Sequence, residues 1–331
     1  MKCALYLAVA VLLVGQCNPS WADTSEVRIA RQIGLGFLQL MVMEDEKLIE
    51  KHAKAAGLEN VKVSWSVFNN ASAMNDALIS DKLDFATAGI PAILTLWSRT
   101  RGTPHEVDGV VGVNVTPLLL NTRNPNVHSI RDFSDGDKIG LTGVKVALQA
   151  IVLQMAAAKV WGEANYSKLD HLTVTMSHPD AMAAMLSGKS EVNSHFASPP
   201  FQYLELEQPG IHTVLDSNDI VGRMNFSVVF AKRQFYETNP KLCGAVVGAF
   251  REATETIQHD MKKAAELYLR MSRSKDTIEH TLEIMRHMEF TMTPHGFTKF
   301  AEFMSKVGTL KNTPKSWREV FLPTVHGLPG D

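Results

Sequence analysis

Cysteine, net charge and long apolar runs are all scarce in this chain of 331 residues. It has three cysteines, and its 33 basic residues nearly balance its 35 acidic ones. The balanced charge disfavours a nucleic-acid-binding protein, because binding along a phosphate backbone needs an excess of Lys and Arg. No apolar run reaches the roughly 20 residues of a membrane-spanning helix, which excludes a polytopic membrane protein. We therefore expect a soluble protein that binds a small molecule or another protein.

The start of the chain has the pattern of an export signal. Lys2 precedes an apolar run from Ala4 to Gly15, and the small residues Ser20 and Ala22 occupy the −3 and −1 positions of a cleavage site. The pattern predicts that residues 1–22 are a signal peptide, cleaved after Ala22, and that the mature chain is exported to the periplasm. The alternative, an uncleaved anchor, is disfavoured because the run is too short to span a bilayer.

Cleavage would leave Cys243 as the last cysteine of the mature chain, since Cys3 and Cys17 lie in the signal peptide. It would also remove one base, Lys2, and no acid, so the net charge goes from −2 to −3. No internal disulfide is then possible, and stability must come from packing. Cys243 lies at the start of a helical stretch, and we predict that it is a buried apolar residue rather than a reactive thiol.

Short apolar runs alternate with longer amphipathic ones along the first third of the mature chain. This alternation is typical of an α/β protein with mostly parallel sheets. Asn70 is a predicted helix N-cap, and Pro91 suits the first turn of a helix. The predicted elements are a strand at 27–30, a helix at 37–57, a strand at 61–68, a helix at 71–80, a strand at 83–87 and a helix through 91–97.

The apolar stretch 110–120 contains Pro117, which predicts a bend where the chain leaves one lobe for another. The alternation then restarts, with predicted strands at 138–141, 172–175, 191–196 and 212–215, a helix at 144–161, and a cap at 177–179 before a helix at 181–187 that ends at Gly188. A strand at 225–231 could return beside the first crossing, and a long helix is predicted at 240–273. Two crossings predict two α/β lobes with a cleft between them. The predicted lobe limits are 23–118 for the first part of lobe 1, 119–228 for lobe 2, and 229–331 for the rest of lobe 1 with the C-terminal helices.

The turns after the parallel strands are the predicted binding region. These turns share one sheet edge, and each exposes the unpaired N–H groups and the positive dipole end of the next helix. A small anion could be held there by N–H groups and neutral hydroxyls. Turns at 34–36, 69–72 and 87–91 are expected in one wall of the cleft, and turns at 142–145, 177–180 and 195–199 in the other.

Several segments carry a resemblance to a known family. They are Arg28-Ile29 before Gly34-Leu35-Gly36, Ala73-Met74-Asn75-Asp76-Ala77-Leu78 followed by Leu83-Asp84-Phe85-Ala86, the run from Asp180 to Gly188, the run from His195 to Phe201, and Asn239-Pro240. In this order and spacing the chain resembles the nitrate/sulfonate/taurine (NitT/TauT) family of periplasmic substrate-binding proteins of ABC transporters. The resemblance covers almost all of the mature chain.

The resemblance implies a type II periplasmic binding protein fold, with two α/β lobes joined by two crossing strands and a ligand cleft between them. It implies a monomer that captures a small anion by lobe closure and delivers it to an ABC permease and its ATPase. It implies no catalytic residue, metal or cofactor. The ligand-binding residues that it implies are Leu35, Gly36, Asn70, Ser72, Gly89, Ile90, Asn114, Thr142, Val144, His178, His195 and Ser198.

The chain departs from the family in one turn, where Asn69-Asn70-Ala71-Ser72 offers amides instead of hydroxyls and Gly pairs. The ligand could therefore differ from a simple oxoanion, and three alternatives stay open. They are a binding protein for an aromatic carboxylate, a binding protein for a thiamine-pyrimidine precursor, and a ligand-sensing partner of a membrane receptor. An enzyme is disfavoured, because the sequence has no G-x-S-x-G, H-E-x-x-H, P-loop or G-x-G-x-x-G motif.

Overall fold

The computed structural model describes residues 25–331. The predicted signal peptide, its cleavage site, Cys3 and Cys17 lie outside these residues. Within them the chain forms ten strands. The strands are β1 (Glu26–Arg31), β2 (Lys62–Val67), β3 (Phe85–Ala88), β4 (Val107–Val115), β5 (Leu119–Thr122), β6 (Lys138–Leu141), β7 (Thr173–Thr175), β8 (Val192–Phe196), β9 (His212–Asp216) and β10 (Asn225–Lys232).

The described residues also form twelve α-helices, which cover the faces of the sheets. The helices are α1 (Leu38–Asp45), α2 (Leu48–Ala55), α3 (Ala71–Ile79), α4 (Ile90–Thr100), α5 (Leu148–Trp161), α6 (His178–Ser187), α7 (Phe201–Leu206), α8 (Arg233–Thr238), α9 (Pro240–His259), α10 (Met261–Ser272), α11 (Ile278–Met285) and α12 (Phe297–Lys306). None of them is both long and apolar enough to cross a membrane.

The strands form two five-stranded sheets of the same design. The order in the first sheet is β2-β1-β3-β10-β4, and in the second it is β7-β6-β8-β5-β9. In the first sheet, β1 is parallel to β2 and β3, whereas β10 is antiparallel to β3 and β4. In the second, β6 is parallel to β7 and β8, whereas β5 is antiparallel to β8 and β9. Both sheets therefore contain parallel and antiparallel strands. The antiparallel strand within each sheet, β10 or β5, follows a crossing of the chain from the other sheet.

The chain crosses between the sheets twice, through residues 116–118 and 217–224. Pro117 lies in the first crossing, where the break in the apolar run predicted a bend. The two crossings are bonded together: Ser217 N donates to Leu118 O (2.9 Å), and Leu118 N donates to Ser217 Oγ (2.8 Å). The predicted boundary between residues 228 and 229 falls inside β10, and the lobe limits stay a prediction.

Helix starts and ends follow local capping chemistry. Asn70 Oδ1 accepts from Ala73 N (2.9 Å) and begins α3, and Ser177 Oγ accepts from Asp180 N (3.3 Å) and begins α6. Gly188, at φ 67°, ends α6 in the left-handed region that glycine adopts without strain. The predicted caps of these two helices are confirmed.

Three predicted helices are shorter than expected, because the backbone conformation ends a helix at positions where the apolar periodicity continues. The helix expected at 37–57 is two helices, α1 and α2, separated by Lys47 at φ 51°. The helix expected from residue 144 begins at Leu148. The long C-terminal helix is broken at Asp260, whose Oδ1 accepts from Lys263 N (2.9 Å) and caps α10.

The core of the first sheet lies between its strands and the helices α1, α2, α4 and α9. Val27 and Ile29 of β1, for example, are fully buried. Cys243 is 1% exposed on the buried face of α9, as predicted for a small apolar side chain. The packing holds the strand-to-helix turns of the two sheets against each other.

Candidate functional site

A small cavity lies between the two sheets where four helices begin. Ala71 begins α3, Gly89 precedes α4, Leu148 begins α5 and His178 begins α6, and all four residues line the cavity. The first N–H groups of a helix lack intrahelical partners and carry the positive end of its dipole. None of the described residues that line the cavity is Asp, Glu, Lys or Arg. The positive helix ends are therefore the main fixed charges at this point.

The cavity measures about 30 Å³ and continues into a larger groove. This volume has room for about two water molecules. A groove of about 470 Å³ between α3 and α4 shares Ala71, Ala92 and Val146 with the cavity. A small polar group fits in the cavity, and a longer molecule could extend from there into the groove.

The wall from the second sheet carries polar side chains. Thr142 follows β6, Gln149 lies in the first turn of α5, and His178 is 7% exposed. The Nε2 atoms of Gln149 and His178 are 3.3 Å apart, and Thr142 Oγ1 lies 3.5 Å from Gln149 Oε1. The ring of His178 is stacked on Phe201, with centroids 5.5 Å apart. Stacking and hydrogen bonds thus fix the orientation of the imidazole at the cavity.

A buried hydrogen-bonded chain continues behind His178. His178 Nδ1 lies 2.8 Å from His195 Nε2, and His195 Nδ1 is hydrogen-bonded to Glu205 Oε1. His195 and Glu205 are both fully buried. Asn121 Nδ2 donates to the other carboxylate oxygen, Glu205 Oε2 (2.9 Å). Within residues 25–331, no group of three or more His, Cys, Asp or Glu side chains is placed to hold a metal ion.

The electrostatics of this wall keep His178 uncharged. Burial lowers the pKa of His178 well below its ordinary value, and the neighbouring His195 lowers it further. Desolvation acts in this direction because it penalises the imidazolium more than the neutral ring. His178 therefore meets a ligand as a neutral imidazole that can donate or accept a hydrogen bond, depending on which nitrogen carries the proton.

The wall from the first sheet is mainly apolar. Phe37 and Phe226 line it, with ring centroids 5.2 Å apart in an edge-to-face contact. Gly36 lies against Phe226, and a Cβ added at Gly36 would come within 2.4 Å of that ring. Ser227 is 1% exposed, lines the cavity and has an Oγ atom without a hydrogen-bond partner. A buried polar atom without a partner is costly, so this hydroxyl is suited to bond a ligand or a water.

The two walls are in direct contact at the rim of the cavity. Leu35 N donates to Pro199 O across the cleft (3.1 Å). A Cβ added at Gly89 would come within 2.8 Å of Leu148 Cβ, so only glycine permits this approach. Farther from the cavity, the rings of Tyr166 and Phe303 are in edge-to-face contact.

The structure brings part of the predicted ligand-binding set together. Gly89, Thr142 and His178 line the cavity, and Ser72 lines the adjoining groove. The other eight do not line the cavity or the groove. These are Leu35, Gly36, Asn70, Ile90, Asn114, Val144, His195 and Ser198. Which of the twelve contact a ligand stays a prediction.

Several of these eight residues have a visible structural role. Asn70 caps α3, and Asn114 Nδ2 donates to Gly36 O (2.6 Å). Val144 N donates to Thr175 Oγ1 (3.1 Å), and His195 lies behind His178. Asn114 Oδ1 and the Oγ atom of Ser198 are buried without partners, so both could still bond a ligand or water after a local rearrangement.

Sequence reasoning missed Gln149, Phe226, Ser227 and Glu205. Gln149 was placed inside a helix expected to begin at residue 144, whereas it lies in the first turn of α5. Ser227 follows Asn225 by two residues in a predicted strand, and this alternation of polar residues was a usable signal. No local pattern indicates Glu205, because its role comes from contacts with β5 and β8 that form only in the fold.

Comparisons with known proteins agree with this architecture. A model of the NMT1-like family matches residues 25–271. No curated protein sequence matches the chain. The alkanesulfonate-binding protein SsuA from Xanthomonas axonopodis pv. citri, solved bound to MOPS, has a TM-score of 0.70 at 14% identity, covering 88% of this chain and 96% of that chain.

Two further solved structures are similar. The periplasmic nitrate-binding protein NrtA from Synechocystis PCC 6803 has a TM-score of 0.69 at 13% identity, covering 90% of this chain and 85% of that chain. The periplasmic aliphatic sulphonate binding protein SsuA from Escherichia coli has a TM-score of 0.66 at 17% identity, covering 92% and 99%. At these identities the likeness shows the fold, and it confirms the predicted periplasmic binding protein fold.

Proposed function

The chain belongs to the NMT1-like family, and we propose that it is an exported, monomeric solute-binding protein that captures a small anion between its two lobes. The observation that carries the proposal is the cavity where the N-termini of α3, α4, α5 and α6 meet. Helix N-termini bind anions through unpaired N–H groups and the positive end of the dipole. The solved structures with the same fold include proteins named for sulfonate and nitrate binding.

Capture depends on closure of the lobes. The contacts from Leu35 to Pro199 and from Gly89 to Leu148 join the two walls, and they would separate when the lobes open about the crossings. A ligand that contacts both walls stabilises the closed form. We propose that an ABC permease, acting with its ATPase, recognises this closed form and receives the anion.

The groove beside the cavity favours a ligand with an organic tail. Ser72, Asn75 and Thr95 line it, and Asn75 Oδ1 is buried without a hydrogen-bond partner. An aromatic carboxylate or a thiamine-pyrimidine precursor could place its polar group in the cavity and its ring in this groove. These two ligands therefore remain alternatives to a simple sulfonate or nitrate.

A thermal-shift screen of residues 23–331 tests the proposal. The ligands are aliphatic sulfonates, nitrate, bicarbonate, aromatic acids and pyrimidines. A ligand at 100 times its dissociation constant adds about 2.7 kcal/mol to the free energy of unfolding, which raises the melting temperature by a few degrees. We expect a clear shift from one class of anion. A shift from pyrimidines alone would favour the precursor-binding alternative, and no shift from any ligand would contradict small-molecule capture.

A further inference from the structure

We propose that the buried chain Glu205–His195–His178 controls the hydrogen-bonding polarity of the cavity, so that an anion is bound together with one proton. The inference rests on the proposed function, because it concerns how that site accommodates negative charge. It assigns a positioning role to Glu205, which lies two side chains away from the cavity and does not touch a ligand.

The inner end of the chain is fixed as a hydrogen-bond acceptor. Asn121 Nδ2 donates to the backbone oxygen of Gln202 (2.9 Å), and Thr213 Oγ1 donates to Asn121 Oδ1 (2.9 Å). The backbone oxygen can only accept, so the amide of Asn121 must point its NH₂ group at Glu205 Oε2. Oε2 accepts from Asn121 and Oε1 faces His195, so both oxygens of the carboxylate are placed as hydrogen-bond acceptors.

With both histidines neutral, each hydrogen bond of this buried network is donated inward, away from the cavity. His195 Nδ1–H donates to Glu205, and His178 Nδ1–H donates to His195 Nε2. His178 Nε2 then carries no proton and can only accept, as it does from Gln149 at 3.3 Å. An acceptor at this position repels an anion, because the oxygen atoms of the anion are themselves acceptors and need hydrogen-bond donors.

One added proton reverses the hydrogen bond between the two histidines. His195 then carries protons on both nitrogens and donates to Glu205 and to His178 Nδ1. His178 remains neutral, but its own proton now lies on Nε2, which faces Gln149 and the cavity, and the amide of Gln149 turns to present its oxygen. The buried carboxylate of Glu205 balances the positive charge of His195. The net change is the uptake of one proton from solvent, without any other covalent step. The cavity thereby gains a hydrogen-bond donor for an anion.

Glu205 is the charged side chain that faces this pair of histidines. The other charged residues on the surrounding elements point elsewhere or lie at far ends. Asp180 of α6 bonds to Ser177 Oγ, and Glu207 at the end of α7 pairs with His280. Lys145 before α5 is exposed, Lys138 begins β6, and Lys159 lies in the last turn of α5.

Nitrogen-15 NMR of the histidines in the ligand-free protein tests the switch directly. A titration between about pH 5.5 and 9.5 covers the range in which histidines change charge. At the alkaline end we expect the proton of His178 on Nδ1. On acidification it should move to Nε2 while His195 becomes doubly protonated. A single unchanged tautomer of His178 over the whole range would overturn the proposal.

Nitrate is the probe for the coupling to ligand, because it stays fully ionised over this range and fits a small cavity. On the alkaline side we expect its affinity to fall by up to about tenfold per pH unit, the slope for uptake of one proton. Calorimetry in buffers of different ionisation enthalpy should show matching proton uptake. Affinity independent of pH, with no uptake, would overturn the proposal. If no anion of the screen bound at any pH, the proposed function would fail, and the NMR titration would still decide the switch.

Glu205→Gln removes the charge that balances the added proton. We expect nitrate to bind about tenfold more weakly near pH 6 and to lose its pH dependence, since a charge-assisted bond is lost from the chain. Glu207→Gln is the matched control from the same region, and its affinity should stay within about twofold of wild type. An unchanged pH slope in Glu205→Gln contradicts the proposal. If that variant does not fold, the wild-type titrations decide.

Discussion

The two walls of the cavity differ in chemistry although both lie at the edge of a mixed α/β sheet. The first wall presents Phe37, Phe226 and the unpartnered hydroxyl of Ser227. The second presents Gln149 and His178, and a hydrogen-bonded chain behind His178 reaches a buried carboxylate. The first wall therefore sets the shape of the cavity, and the second sets its hydrogen-bonding character.

This difference predicts different responses to substitution. A change on the second wall should alter the affinity for a ligand through lost hydrogen bonds, with the shape of the cavity preserved. A change in the aromatic packing of the first wall should act through the shape of the cavity, so that affinity and stability fall together.

Removal of the imidazole nitrogens at His178 should have the largest effect on affinity. His178→Phe keeps a ring that can stack on Phe201, but it removes both hydrogen bonds and leaves Gln149 Nε2 and His195 Nε2 without their partners. We expect anion affinity to fall by about 100-fold, because a buried charge-assisted hydrogen bond contributes about 1.5–3 kcal/mol and orphaned partners add to the loss. Isothermal titration with nitrate measures it.

His287→Phe is the matched control for this variant. His287 stacks on Tyr203, with centroids 5.2 Å apart, and it does not line the cavity. Its substitution should leave affinity within about twofold of wild type, as for surface changes away from a site. If His178→Phe bound nitrate as well as His287→Phe does, the second wall would not set the hydrogen-bonding character of the site.

Crowding of the first wall should have the next largest effect. The methyl group of Gly36→Ala would come within 2.4 Å of Phe226, so the ring must move at the expense of the cavity. We expect a destabilisation of about 1–3 kcal/mol together with an affinity about tenfold weaker. Thermal unfolding and nitrate titration of the same sample measure the two effects.

Gly244→Ala provides the contrast, because Gly244 lies in α9 with open space around its added methyl group. This change should raise stability by about 0.5–1 kcal/mol and leave affinity unchanged. An affinity loss in Gly36→Ala without any loss of stability would show that the first wall acts by direct contact with the ligand rather than by shape.

The hydroxyl of Ser227 should have a smaller effect on affinity. Ser227→Ala removes a buried oxygen that has no partner in the protein, so the stability of the unliganded form should stay equal or rise by up to about 1 kcal/mol. Affinity for nitrate should fall by about two- to tenfold, the typical net value of one hydrogen bond. Ser98→Ala is the control, because Ser98 Oγ accepts from Asn312 N (2.7 Å). Ser98→Ala should lower stability and leave nitrate affinity unchanged. If Ser227→Ala gave this same result, the hydroxyl of Ser227 would belong to the core and not to the site.

Much of the fold could be predicted from local sequence. Strands such as β6 and the caps Asn70 and Ser177 follow from patterns within a few residues. The breaks at Lys47 and Asp260 were missed, because apolar periodicity continues across both positions. Periodicity identifies a buried face, whereas the end of a helix depends on the conformation of single residues.

The site was less predictable, because its chemistry depends on contacts between distant segments. Gly89, Thr142 and His178, three of the residues that the resemblance implies, line the cavity. The resemblance could not distinguish His178 from His195, since only the fold shows which of the two faces the cavity. Glu205 of α7 carries no local signal at all, and its partner Asn121 lies in β5, 84 residues earlier in the chain.

A second buried carboxylate, Asp108 of β4, should have no effect on affinity and so sharpens the contrast with Glu205. Asp108 is fully buried, bonds to Arg233 Nη2 (2.9 Å) and does not line the cavity. Burial raises the pKa of Asp108 from 3.8 to about 6, although Arg233 opposes the shift. The neutral acid is thus favoured in the folded state, so its contribution to stability is complete below the unfolded pKa and is lost as the pH rises through about 6.

Relative to Asp108→Asn, wild type should lose about 2 kcal/mol of unfolding free energy between about pH 4.5 and 7.5, measured by urea titration, while nitrate affinity stays equal in both. A stability difference that does not change with pH would mean that Arg233 compensates the buried charge fully, as His195 is proposed to do for Glu205.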